Sequence, residues 1–219
     1  MVPEGVSWFD LDESVRADLK AMPLSLAERV GGHLAAAGLL VEDDAEAAYA
    51  HATEARRLAQ RVAVVREAMG LTAYATGRWT QAIAELRAAR RLGGPPDHLP
   101  LVADAARALG RPERALELAA DPAVADLGSS ARLEMLIVAA GARRDLGEPR
   151  AAVRLLDVAA LRDDRHAPEL ARLRYAYADA LLDCTDEAGA REWFAKAAEL
   201  DDDQDTDAVA RLAELADHD

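Results

Sequence analysis

The sequence predicts an all-α protein built from successive helix pairs, and three observations carry that expectation. Hydrophobic residues make up 51% of the 219 but aromatics only 4%, so a core must be assembled from Ala, Leu and Val. Small side chains let helix axes approach closely, and Ala and Leu are strong helix formers. No alternating run of β-branched residues bounded by turns is present; MLIVAAGA (135–142) comes nearest, and it passes into RRDLG at helical spacing. The third observation is a repeat. Ala82, Leu86 and Ala89 follow Gly77, and a turn residue followed by small, bulky, small recurs along the chain.

The elements follow in order. Glu13 and its neighbours read as a short helix over about 12–21, ended by Pro23. Ser25-Leu-Ala-Glu28 has capping-box spacing and predicts a helix start there. The first pair is expected at 29–41 and 44–59, with Ala48, Ala52 and Ala55 as anchors; 34 residues separate Ala48 from Ala82. The second is expected at 63–76 and 79–92, with Trp79 packing at the start of its second helix. The third, at 98–109 and 112–120, has Gly110 before Ala115 and Ala119, and Pro122 in the last slot. The fourth, at 131–146 and 149–161, has Gly147 before Ala152, Leu156 and Ala159. The fifth, at 167–183 and 186–200, has Thr185 before Ala190, Phe194 and Ala197. Thr206 or Asp207 starts a last helix over about 207–217.

This pattern resembles the tetratricopeptide repeat, a 34-residue helix–turn–helix. The best copy is 63–96: Met69 and Gly70 occupy its Leu-Gly slots, Tyr74 stands one place past its tyrosine, and Gly77 closes the first helix. The resemblance spans roughly residues 25–200. The family's Trp is missing from every unit, and the last two spacings, 37 and 38 residues, exceed its period. It implies a right-handed α-solenoid of about five antiparallel helix pairs with terminal capping helices. The implied organisation is a docking segment and short helix (1–24), the solenoid (25–201) and an acidic cap (202–219).

Charge narrows the function. The net charge of −14 is uneven, with nine acids against Arg211 alone in residues 199–219. Residues 50–95 instead carry eight arginines and three acids, read as a solvated face balanced by neighbouring carboxylates. An acidic chain repels the phosphate backbone, so no nucleic-acid partner is expected. No apolar stretch approaches the roughly 20 residues that cross a bilayer, and MVPEGVSWFD shows no secretory pattern; no membrane association and a cytoplasmic location are expected.

Motifs with chemical meaning are sparse. Asp10 and Asp12 in WFDLDES have the D-x-D spacing of haloacid-dehalogenase phosphatases, but no sheet is expected to hold them. Trp8, Phe9 and Leu11 are instead expected to dock on the first repeat, with Asp12 capping a helix. Asp203, Asp205, Asp207 and Glu214 fit EF-hand positions, yet Ala208 replaces the glycine and Arg211 brings a positive charge. His33, His51, His98, His166 and His218 lack zinc-site spacing, and Cys184 is alone. No catalytic, cofactor or metal residues are expected, and the chain is read as not an enzyme.

The family resemblance implies a concave groove lined by the first helix of each pair, which receives a peptide or partner helix. Its groove slots fall on His33, on Glu67, Leu71 and Tyr74, and on Asp104 and Arg107. They continue at Glu134 and Arg144, then Arg172, Tyr175 and Asp179. The lysine–asparagine carboxylate clamp of the family's chaperone-binding members is missing, since the chain has no Asn and only Lys20 and Lys196. The leading expectation is a non-catalytic scaffold for a protein or peptide partner. Alternatives are a regulatory solenoid whose Arg107, Arg144 and Arg172 surround a small anion, an enzyme with a composite site near these residues, and a self-associating homo-oligomer.

Overall fold

The structure, a computed structural model, describes residues 2–163, 167–202 and 204–216. Among these residues every regular element is a helix. They are α1 (Glu13–Leu19), α2 (Leu24–Leu40), α3 (Ala45–Ala59), α4 (Ala63–Ala75), α5 (Trp79–Arg91) and α6 (Leu99–Ala108). There follow α7 (Pro112–Ala119), α8 (Ser129–Asp145), α9 (Pro149–Leu156), α10 (Pro168–Asp183), α11 (Glu187–Ala198) and α12 (Ala208–Ala216). The chain forms two compact units, Met1–Leu109 and Gly110–Asp219, and the division separates α6 from α7.

The anchors explain the packing. In the first unit Ala48, Ala52, Ala55 and Ala82 are completely buried, and Leu86 and Ala89 nearly so. α4 and α5 touch so closely that a Cβ on Gly70 would lie 2.6 Å from Leu86 Cγ. Glycine is required there because no side chain fits between the two helices. In the second unit Ala152, Leu156, Ala190, Phe194 and Ala197 are fully buried. Gly77, Gly110 and Gly147 all adopt left-handed backbone (φ +71°, +69° and +74°), the conformation glycine takes at little cost. Thr185 occupies the matching slot after α10 at φ +62°, where its Cβ is strained.

Several expectations need correction. The helix expected from residue 29 begins at Leu24, with Pro23 as its N-cap and no side-chain cap, so Ser25 and Glu28 form no capping box. The Pro23 carbonyl accepts the first helical hydrogen bonds from Leu26 and Ala27, which moves the start ahead of the serine. A true capping box lies earlier: Ser7 accepts from Phe9 N, and its own N–H donates to Asp10 Oδ2 at 2.7 Å. Trp8 and Leu11 do pack on the core around Leu19, Val30 and Leu34, but Phe9 stays 67% exposed, resting on the edge of Trp8. Asp12 precedes α1 without a side-chain cap bond.

The third and fourth pairs also differ from expectation. Ala119 is only half-buried and Pro122 is exposed, because α7 stops before Asp121-Pro122 and the chain enters a short 3-10 turn. Likewise α9 ends at Leu156, not 161, so Ala159 falls in a 3-10 turn over Ala159–Arg162. Tertiary packing decides this ending. Leu161 is fully buried, and the buried Arg174 donates to the carbonyls of Leu161 (3.4 Å), Asp163 (2.6 Å) and Lys196 (3.1 Å). A continued helix would forfeit both.

Candidate functional site: the face of the first helices

In the first unit, the slots singled out from the sequence sit on α4 and α6 and are tied together. Glu67 Oε1 lies 2.9 Å from His98 Nε2, at the entry to α6. Tyr74 donates its hydroxyl to Asp104 Oδ2 at 2.6 Å, and Arg107 donates to Asp104 Oδ1 at 3.0 Å. The Tyr74 ring also meets the edge of Trp79, with centroids 5.2 Å apart. Leu71 is half-buried between these polar groups in sequence. His33, on α2, faces His51 on α3 with Nδ1 atoms 2.9 Å apart. Burial lowers both histidine pKa values, and for His33 the neighbouring His51 lowers it further.

In the second unit, α8 and α10 carry the other slots. Arg172 Nε and Nη2 donate to Glu134 Oε1 at 2.9 and 2.6 Å, and its Nη1 reaches Asp205 at 3.4 Å. Arg144 donates to Asp183 at 2.6 Å and Asp179 at 3.0 Å, while Arg211 of α12 takes the other Asp179 oxygen at 3.1 Å. Burial opposes the Arg144 charge, yet its bonds to Asp183 and Asp179 outweigh this and raise its pKa. Tyr175 packs edge-on against Phe194 at 5.3 Å. Its pKa is pushed up by burial, by a hydrogen bond with Asp207 and by the Asp179 charge, so the phenol stays protonated.

The geometry thus joins neighbouring first helices by polar bridges: Tyr74–Asp104 in one unit, Glu134–Arg172 and Arg144–Asp179 in the other. Residues that the slots omitted complete the network. His98, Asp205 and Arg211 come from loops or other helices, and no spacing rule points to them, whereas Asp183 ends α10 itself, one turn after Asp179. Arg107 belongs to the first unit and Arg144 and Arg172 to the second, and each guanidinium already has a carboxylate partner.

No family model matches the sequence, and no curated protein matches it. A solved structure does match: YrrB, described as a TPR protein with an unusual peptide-binding site. It is 18% identical, with a TM-score of 0.53 over 94% of this chain and 97% of that one. The fold is of the tetratricopeptide-repeat type. In tetratricopeptide terms α2, α4, α6, α8 and α10 are first helices, and α3, α5, α7, α9 and α11 are second helices.

The remaining motifs are absorbed by packing. Asp205 pairs with Arg172, Arg211 pairs with Asp179, and α12 has begun by Ala208, inside what an EF-hand would need as loop. Asp203, His166 and His218 lie outside the described residues. Among the described residues no three His, Cys, Asp or Glu side chains are placed to hold a metal ion, and no helix is long and apolar enough to cross a membrane. The arginine-rich stretch is balanced by carboxylates: Arg57 with Glu54, Arg78 with Glu46, and Arg56 and Arg66 with the buried Glu85.

Proposed function

We propose that this chain is a non-catalytic interaction scaffold that binds an extended peptide from a partner protein on the face of its first helices. The observation that supports this most is the pair of bridges between α8 and α10. Arg144 and Arg172 are held in place by carboxylates but remain partly exposed, with side chains 28% and 37% accessible. A guanidinium has five N–H donors in a fixed fork, so each retains donors for a peptide carbonyl or carboxylate. Tyr175 adds a protonated phenol to the same row. The description of YrrB as having a peptide-binding site agrees with this reading.

A small anion is the weaker candidate. It would have to displace Glu134 or Asp179 from arginines that their carboxylates already neutralise. Glu67, Leu71, Tyr74, Asp104 and Arg107 are proposed as the corresponding peptide contacts of the first unit.

Peptides selected from a displayed library against the wild type provide the test. Isothermal titration should show at least tenfold weaker binding to Arg172→Gln and to Tyr175→Phe, both checked for an intact helical spectrum, and no change for the exposed Arg132→Gln. Equal affinity across the three variants would remove this face from the proposal.

A further inference from the structure

The second unit has a concavity that shares none of the polar slots described above. A cleft of about 1110 Å³ opens between α7, α8 and α9. Its apolar lining includes Leu116, Ala139 and Leu155, and its charged lining includes Arg143, Arg150 and Arg154. Glu148 also lines it, and is committed to Arg143 at 2.6 Å.

The cleft lies beside two short second helices. α7 and α9 have eight residues each, whereas α3, α5 and α11 have 15, 13 and 12. The cleft is open to solvent along the length of α9, a shape that suits a polypeptide segment laid across it. Arg150 and Arg154 stand one helical turn apart on α9, are exposed, and make no hydrogen bond or ion pair among the described residues. In a chain with 40 acids to 26 bases, leaving this rim cationic gives the cleft a sign opposite to that of the molecule.

The geometry points to a docking site for an acidic amphipathic helix of a partner protein, distinct from the peptide face of the first helices. Leucine-type side chains of the partner enter between α7 and α9. Carboxylates four residues apart on it meet Arg150 and Arg154, whose spacing they match. Arg143, already tied to Glu148, closes the charged side.

The test is selection from a displayed library of 16-residue segments with Asp or Glu and Leu or Ala in helical pattern, followed by fluorescence anisotropy. Selected segments are expected to bind the wild type, to lose at least tenfold in affinity for Arg150→Glu/Arg154→Glu, and to weaken with added salt. Ala120→Trp, which fills an exposed part of the cleft without changing charge, is expected to weaken them as well. Arg132→Glu and Tyr175→Phe, outside the cleft, should leave them unchanged. Four results would each overturn the proposal. One is a library yielding no binder, and another is binders indifferent to both cleft variants. The third is equal binding of a polyglutamate peptide, which would show bulk attraction alone. The fourth is a wild-type dimer that Arg150→Glu/Arg154→Glu dissolves, which would assign the cleft to a second copy.

Discussion

Thr185 shows how much a single position can carry. Three equivalent turns use glycine at positive φ, and this one places a β-branched residue at φ +62°. Left-handed backbone costs a non-glycine residue about 1–2 kcal/mol, while glycine gives back about 0.4–1 kcal/mol through the unfolded chain. Thr185→Gly should therefore stabilise the protein by roughly 0.5–1 kcal/mol, read as a higher midpoint in urea. Ala82 tests the opposite limit. It is completely buried at a helix crossing, so Ala82→Leu should overpack that contact and cost about 1–3 kcal/mol. Both positions are visible from spacing alone, because a turn slot and a crossing slot recur at fixed offsets. Phe9 is not: its neighbours Trp8 and Leu11 are equally apolar, and only the path of the chain decides which of the three faces inward.

Between elements, polar groups hold what periodicity does not. Arg174 supports the irregular stretch after α9 through the carbonyls of Leu161 and Asp163, and ties it to α11 through that of Lys196. Hydrogen bonds to a charged group contribute about 1.5–3 kcal/mol each net of exchange with water, so losing the two shorter ones in Arg174→Met should destabilise by roughly 3–6 kcal/mol. Hydrogen exchange should then rise first between 157 and 163. The α2–α3 pair carries a pH dependence. The folded pKa values of His33 and His51 are both lowered from 6.5, so the unfolded chain binds more protons as the solution acidifies. Their contribution is fully present above pH 6.5 and is lost as pH falls through the lowered values. Melting temperature should decline as pH falls below about 6.5, and His51→Gln should flatten that slope; an unchanged slope would place the dependence elsewhere. Carboxylates with lowered pKa, such as Glu46 and Glu54, act only at more acid pH.

For the molecule as a whole, helix pairs must cover one another, since a single pair cannot bury its apolar stripe. The end of the chain shows the consequence. Ala208, Leu212 and Leu215 of α12 cover the cluster around Phe194, and Arg211, Asp205 and Asp207 engage Asp179, Arg172 and Tyr175. Truncation after Asp201 should therefore expose that cluster, cost roughly 2–4 kcal/mol at about 25 cal/mol per Å² of apolar surface, and raise dye binding. A truncated chain that melts like the full one would deny α12 the role of a cap.

The all-α class, the helix pairs and most of their anchors are legible in the sequence by itself, because 3.6-residue periodicity and small crossing residues are local signals repeated along the chain, with a turn glycine in three of the five units. The groove slots are legible as positions but not as partners. That Tyr74 meets Asp104, or that Arg211 reaches Asp179, depends on which helices become neighbours. The helix start at Leu24 and the helix end at Leu156 escape for the same reason: the Pro23 carbonyl, the buried Leu161 and the reach of Arg174 outweigh local propensity. Repetition along the chain is a property of short windows, whereas ion pairs, helix ends and cavities belong to groups far apart in sequence, and only folding brings them together.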